Sequence, residues 1–204
     1  MSVPAAPAGA GGRGDPPALA WELEAVSDGA AATRSLAGRL ARVCRAGDVV
    51  LLSGELGAGK TTFAQGFARG LGIEGPVTSP TFTLVRQYPC AAGEVRQLVH
   101  ADVYRLDSLD EMADLALPEL GDDAVTLVEW GERAAPVLGS STLTVVLERP
   151  GQSTSEGSAG DDEERLVHLV ARGLSWVGRC GEVADALGGF LRNGGAGRAR
   201  RGEP

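Results

Sequence analysis

The chain has 204 residues, of which 43% are hydrophobic, enough for one packed domain with ragged ends and too many for a wholly disordered chain. Its net charge of −8 is uneven: residues 1–98 carry 9 basic and 8 acidic side chains, residues 99–164 carry 3 and 16, and residues 165–204 carry 7 and 3. The acidic middle argues against unaided nucleic-acid binding through that face, and three scattered cysteines with two distant histidines argue against a metal cluster or a disulfide scaffold.

Residues 1–20, mostly Pro, Ala and Gly, have little to bury and are expected to form a disordered tail. The alternation of Trp21, Leu23 and Ala25 fits an edge strand. Ser27 is placed to cap a helix running to about residue 45, with Leu36, Leu40 and Val43 at helical spacing and Gly47 closing it. Within residues 48–53, positions 49–52 are continuously apolar rather than alternating, as in a parallel strand covered on both faces. A glycine-rich turn then leads into a helix that puts Phe63, Phe67 and Leu71 on one face and ends at Gly72. Further strands are expected at 83–88, 95–101, 124–129, 142–147 and 166–170, and helices at 109–115 and 176–191. Residues 150–164 read as a mobile acidic Gly/Ser loop, and 192–204 as a disordered basic tail. The longest clean aliphatic run, residues 49–52, is far short of the roughly 20 residues a membrane span needs. With no basic, Leu-rich leader, the expected location is the cytoplasm.

Residues 54–61, GELGAGKT, fit GxxxxGK[ST] at every position, with a buried strand before and an amphipathic helix after. Glycines allow successive N–H groups to point inward, so Glu55, Leu56, Gly57, Ala58, Gly59, Lys60, Thr61 and Thr62 are the expected phosphate-binding set. Lys60 would reach the β- and γ-phosphates, the Thr61 hydroxyl would ligate Mg²⁺, and Thr62 would lie near the α-phosphate. Lys60 is the one lysine beside 18 arginines. Composition bias accounts for that count but not for the position, where arginine's planar fork cannot replace a compact ammonium. A guanine-reading Asn/Thr-Lys-x-Asp motif is impossible without a second lysine, which favours ATP over GTP.

The expected domain is therefore α/β: a P-loop NTPase-like sheet over 21–191, mostly parallel in its centre, with antiparallel edge strands and flanking helices. Such a site needs a carboxylate at the end of a neighbouring buried strand. Glu129, ending the run Val125-Thr126-Leu127-Val128, is the first choice, the alternative being an acid exposed at a strand end. Asp102 could orient the attacking water or hold a metal-bound water. Ser79, Thr81 and Thr83 flank Pro80 and could sense the γ-phosphate, although Ser-Pro-Thr is also ordinary turn chemistry.

The blocks GELGAGKTTF, SPTFTLV, HADVYRL and VEW, in that order and spacing, resemble the TsaE family over about residues 21–150. The resemblance implies a small α/β ATPase of bacterial tRNA threonylcarbamoyladenosine formation that joins TsaD and TsaB and resets their complex between turnovers, tRNA being reached only through that complex. It also implies roles for residues that match the family motifs. Lys60 and Thr61 match its phosphate and magnesium residues, Glu129 its magnesium-associated glutamate, and Asp102 an acid important for activity. Trp130 matches a tryptophan following that glutamate, either a nucleotide-site residue or plain core packing, and Thr33 matches a threonine near the nucleotide. Where the family usually has proline after Glu-Trp, this chain has Gly131, which would loosen the turn. A small-molecule kinase would need an Arg-rich lid, yet residues 99–164 hold only Arg105, Arg133 and Arg149. A nucleotide-gated interaction module with negligible turnover is the remaining alternative.

Overall fold

The computed structural model describes residues 18–91, 93–117, 123–150 and 163–192. The expected N-terminal tail through residue 17, most of the 150–164 loop and the tail beyond residue 192 lie outside the described residues.

Seven strands form one sheet in the order β1-β7-β6-β2-β5-β4-β3, with bounds Leu19–Asp28, Val49–Ser53, Val85–Pro89, Gln97–Asp102, Ala124–Glu129, Thr142–Glu148 and Glu164–Arg172 for β1 to β7. The centre is parallel, since β2 pairs with β5 and β6, and β5 pairs with β4. The edges are antiparallel: β3 on β4, β7 on β6, and β1 on β7. This is the mixed sheet expected from the continuous apolar run at 49–52 and the alternating run at 21–26.

Helices α1 (Ala30–Ala41), α2 (Lys60–Gly70) and α4 (Cys180–Leu187) cover one face. The short α3 (Leu109–Asp114) and two 3₁₀ turns cover the other. In β2, Val50 and Leu52 enter the first core and Leu51 the second, because side chains alternate along a strand. A strand buried on both faces has no polar positions to spare.

Three local expectations need correction. Ser27 does not cap α1; it is still in β1, paired with Arg165, and Gly29 is the cap residue. The helix stops at Ala41 because Val43 and Cys44 donate to the Leu40 and Ala41 carbonyls, tightening the last turn, and Gly47 (φ 84°) instead makes the turn into β2. The expected 176–191 helix shrinks to α4, since Gly178 (φ 80°) and Gly188 (φ 43°) hold left-handed backbone at each end.

Helices α1 and α2 meet backbone to backbone. A Cβ on Gly66 would lie 2.3 Å from the Arg34 carbonyl oxygen, and one on Gly70 would lie 2.4 Å from that of Gly38. Gly66→Ala would gain about 1 kcal/mol of helix propensity, but overpacking costs about 1–3 kcal/mol, and backbone atoms cannot swing aside. The variant is expected to melt below the parent; a melting temperature equal to or above the parent's would refute this packing argument.

At the opposite end of the sheet from the glycine turn, Asp48 and Arg179 form a buried two-pronged ion pair, with both N···O distances 2.8 Å. Arg179 also donates to the Val43 carbonyl, and its guanidinium carbon lies 4.1 Å from the centroid of the Trp176 ring. Burial alone would lower the Arg179 pKa, but the hydrogen bonds and charge of Asp48 outweigh it and raise it. The Trp176 ring in turn meets Trp21 edge to face at 5.9 Å, and Trp21 donates to its carbonyl.

Candidate functional site

The parallel strands β2, β5 and β4 end side by side. Leu52 is opposite Glu129, and Glu129 is opposite Asp102. Loops leaving this edge border a cavity of about 360 Å³ lined by Leu56, Gly57 and residues 59–62 of the glycine turn and by Ser79, Thr81, Asp102, Tyr104, Glu129 and Trp130. A crevice at the carboxyl ends of parallel strands is where open α/β sheets bind ligands.

The turn is shaped by what a side chain would strike. A Cβ on Gly54 (φ 137°) would lie 2.4 Å from the Leu147 carbonyl oxygen, so only glycine fits between β2 and β6. Gly59 (φ 110°) is the cap residue of α2 and supplies no side-chain cap, which leaves the helix N-terminus to present its N–H groups to an anion. Lys60 Nζ donates to the carbonyls of Gly54 (2.6 Å) and Glu55 (2.9 Å) and sits 3.6 Å from the centroid of the Trp130 ring.

Three oxygen-bearing groups face it. Thr61 Oγ1 donates to Glu129 Oε2 at 3.0 Å. His100 Nε2 lies 3.0 Å from Glu129 Oε1, so both carboxylate oxygens are engaged. Asp102 Oδ2 accepts from Ser79 Oγ and Thr81 Oγ1, each at 2.6 Å, while Oδ1 accepts from the Tyr104 amide at 3.0 Å. A hydroxyl and carboxylates beside an ammonium and free helix amides suit a magnesium-bound polyphosphate: hard oxygen donors for the cation, N–H donors and positive charge for the anion. Thr61 and Glu129 are the residues that could hold such a metal.

Of the residues picked out in the sequence, Leu56, Gly57, Gly59, Lys60, Thr61, Thr62, Asp102, Glu129 and Trp130 line this cavity. Ala58 is buried behind it, and Glu55 contributes its carbonyl to Lys60. Thr33 does not line the cavity. Its hydroxyl is committed to the Gly29 carbonyl and to Ser27 within α1 and β1. The looser turn expected at Gly131 is not seen either. Gly131 is buried against β2, where a Cβ would lie 2.7 Å from Leu51 Cβ, so the residue permits close contact with the strand. Trp130, in left-handed backbone (φ 60°), is held between Tyr104 (ring centroids 4.9 Å apart) and Lys60.

His100 was missed, because two distant histidines argue only against a metal site. The usable signal was a polar side chain inside an apolar parallel strand, two residues before Asp102 and so on the same strand face. None of the three arginines of residues 99–164, too few for a kinase lid, lines the cavity. Arg105 packs over Phe82, Arg133 donates to the carbonyls of Val103, Tyr104 and Leu106, and Arg149 donates to that of Gly57.

Burial lowers the Lys60 pKa, with Glu129, Glu132 and Asp102 pulling the other way. A lowered pKa leaves more neutral amine at a given pH, while burial of Lys60 (5% exposed) limits the reagent's access to it. Phosphates would restore the proton and cover the amine. ATP with Mg²⁺ is therefore expected to protect Lys60 while sparing the chain's α-amino group, as read by peptide mass spectrometry. Labelling of Lys60 indifferent to nucleotide would count against the assignment.

Comparison with known proteins points one way. The profile of the family described as "Threonylcarbamoyl adenosine biosynthesis protein TsaE" matches residues 27–156. The chain is 45% identical over 142 residues to the tRNA threonylcarbamoyladenosine biosynthesis protein TsaE of Streptomyces coelicolor, covering 69% of this chain and 90% of that one. It is 39% identical over 153 residues to that of Bacillus subtilis, covering 74% and 87%. The crystal structure of YdiB from Bacillus subtilis superposes with a TM-score of 0.58 at 35% identity, covering 81% of this chain and 93% of that one.

Proposed function

Because the chain belongs to the TsaE family of threonylcarbamoyl adenosine biosynthesis proteins, and is thus a P-loop NTPase-like, nucleotide-binding protein of the tRNA-modification pathway, we propose that it hydrolyses ATP as an accessory to TsaD and TsaB. Those partners would carry the threonylcarbamoyl group to the anticodon-adjacent adenosine of tRNAs reading A-starting codons. The working domain is residues 21–191, and its place is the cytoplasm; among the described residues no helix is long and apolar enough to cross a membrane.

The observation that carries the reading is the convergence of Lys60, the Thr61–Glu129 pair and Asp102 on one cavity. Bound ATP would supply the transferable γ-phosphoryl group, and magnesium would offset its charge. The ammonium of Lys60, now on the Gly54 and Glu55 carbonyls, would bind phosphate oxygens. Thr61 and Glu129 would hold the metal, with His100 fixing the second carboxylate oxygen. Asp102, oriented by Ser79, Thr81 and the Tyr104 amide, is the group to align the attacking water. Trp130 screens the ammonium from solvent.

The absence of an arginine from the cavity lining, among the described residues, favours water over a metabolite as phosphate acceptor. The rim supports a protein partner. Leu56 and Tyr104 line the cavity and are 80% and 49% exposed, and Phe82, next to the lining residue Thr81, is 85% exposed, apolar surface that suits a protein partner. The acidic middle of the chain supports tRNA being met through partners.

The test is phosphate release from ATP by the full chain, alone and with TsaD, TsaB and tRNA. Slow release alone and a marked rise with partners are expected. Transfer to a small metabolite would make the protein a kinase, and binding without release in the full mixture would make it a nucleotide-gated module.

A further inference from the structure

Two arginines near the glycine turn have no part in the mechanism above. Arg149 follows β6 directly and Arg165 lies near the start of β7, so the two ends of this strand pair converge on the outer side of the turn. Arg149 Nη2 donates to the Gly57 carbonyl, and Arg165 Nε donates to the Ala58 carbonyl at 3.2 Å. Their side chains are only 15% and 9% exposed, and Glu163 lies near both, at 3.7 and 3.5 Å. Arg165 is further anchored by the Glu163 and Glu164 carbonyls. The position of Arg149 depends on glycine, because a Cβ on Gly57 would lie 2.5 Å from its Nη2.

A peptide unit is planar, and its C=O and N–H point in opposite directions. The Gly57 carbonyl shares its plane with the Ala58 N–H, and the Ala58 carbonyl with the Gly59 N–H. Drawing both carbonyls outward turns both amides into the turn, where the first meets the Glu55 carbonyl at 3.1 Å. A charged donor on the carbonyl also polarises the N–H at the other end of the unit.

We infer that Arg149 and Arg165 are positioning residues of the nucleotide site, holding and polarising the turn's amides from outside and so setting phosphate affinity. The inference rests on the turn being a nucleotide phosphate site. It also gives the β6–β7 pair a task that the matched segment 27–156 does not contain in full, since Arg165 lies beyond it.

The experiment is calorimetric titration of the full chain with ATP and Mg²⁺, for the parent, Arg149→Ala, Arg149→Lys and Arg165→Gln, well below each melting temperature. Melting without nucleotide is measured alongside. Loss of one charge-assisted bond should raise the Kd on the order of 10-fold, with Arg149→Lys recovering part of it. A variant that melts lower but binds as the parent does would make the arginine merely structural and overturn the inference, as would parental affinity in a variant of parental stability. If Arg165→Gln does not fold, the two Arg149 variants decide. Failure of the parent itself to bind ATP would remove the nucleotide reading as well, whereas parental binding by every variant removes this inference alone.

Discussion

Lys60→Ala should lower partner-stimulated ATP turnover by a factor on the order of 10²–10³, the usual effect of removing one preorganised donor to developing charge. The reason is positional. The ammonium is held 2.6 and 2.9 Å from two turn carbonyls and under the Trp130 ring, and no other lysine exists to replace it. Lys60→Arg should not rescue, because the planar guanidinium is too broad for a slot closed by an aromatic face. Stability separates this from misfolding. The Lys60 pKa is lowered in the folded chain, so folding disfavours its charged form. That penalty is complete below the folded pKa and vanishes as pH rises through the unfolded value. Lys60→Ala gives up this penalty together with two hydrogen bonds, so it should still melt cooperatively near neutral pH while losing turnover. A variant that turns over normally would remove Lys60 from the mechanism. Asp102→Ala should instead retain most ATP binding and lose about 10²-fold or more in turnover; normal hydrolysis in the assembled complex would refute its role.

Arg179→Ala should have the largest effect on stability. It leaves the Asp48 carboxylate buried, with the Arg45 amide as its remaining hydrogen-bond donor among the described contacts. Breaking a buried pair from one side costs about 3–5 kcal/mol, or a drop of roughly 6–20 °C in melting temperature for a chain of this size. Asp48→Ala should be similarly harmful, while Asp48→Leu with Arg179→Met should recover much of the loss, since the pair's own net contribution is small. Thermal melting of the parent, the two single variants and the double variant compares these outcomes. A single variant melting within about 2 °C of the parent would show that the pair is dispensable. Cys44, beside this pair, stays a thiol, because burial and then the Asp48 charge push its pKa up.

Much of the site was legible because its signals are local. Residues 54–61 specify a phosphate turn within eight positions, and the acids ending residues 97–102 and 124–129 were readable from apolar runs that stop at a carboxylate. The rest was not legible because it depends on which buried groups meet. His100 gains its meaning only when β4 lies beside β5 and brings it 3.0 Å from Glu129. Thr33 matched a family position, yet its hydroxyl is consumed by its own helix start. Gly131 looked like freedom in the chain and turned out to be close contact with Leu51.

By itself the sequence determined the fold class, the phosphate turn, the parallel centre and the acidic strand ends. Each follows from periodicity, glycine spacing or a motif contained within one element. Only the tertiary structure decided that α1 and α2 touch through glycines, that Arg179 pairs with Asp48 131 residues away, and that Arg165 supports the Ala58 carbonyl 107 residues away. Burying a polar group without a partner costs more than its hydrogen bond returns, so such partners are chosen by the register of the whole sheet, which no local stretch of sequence contains.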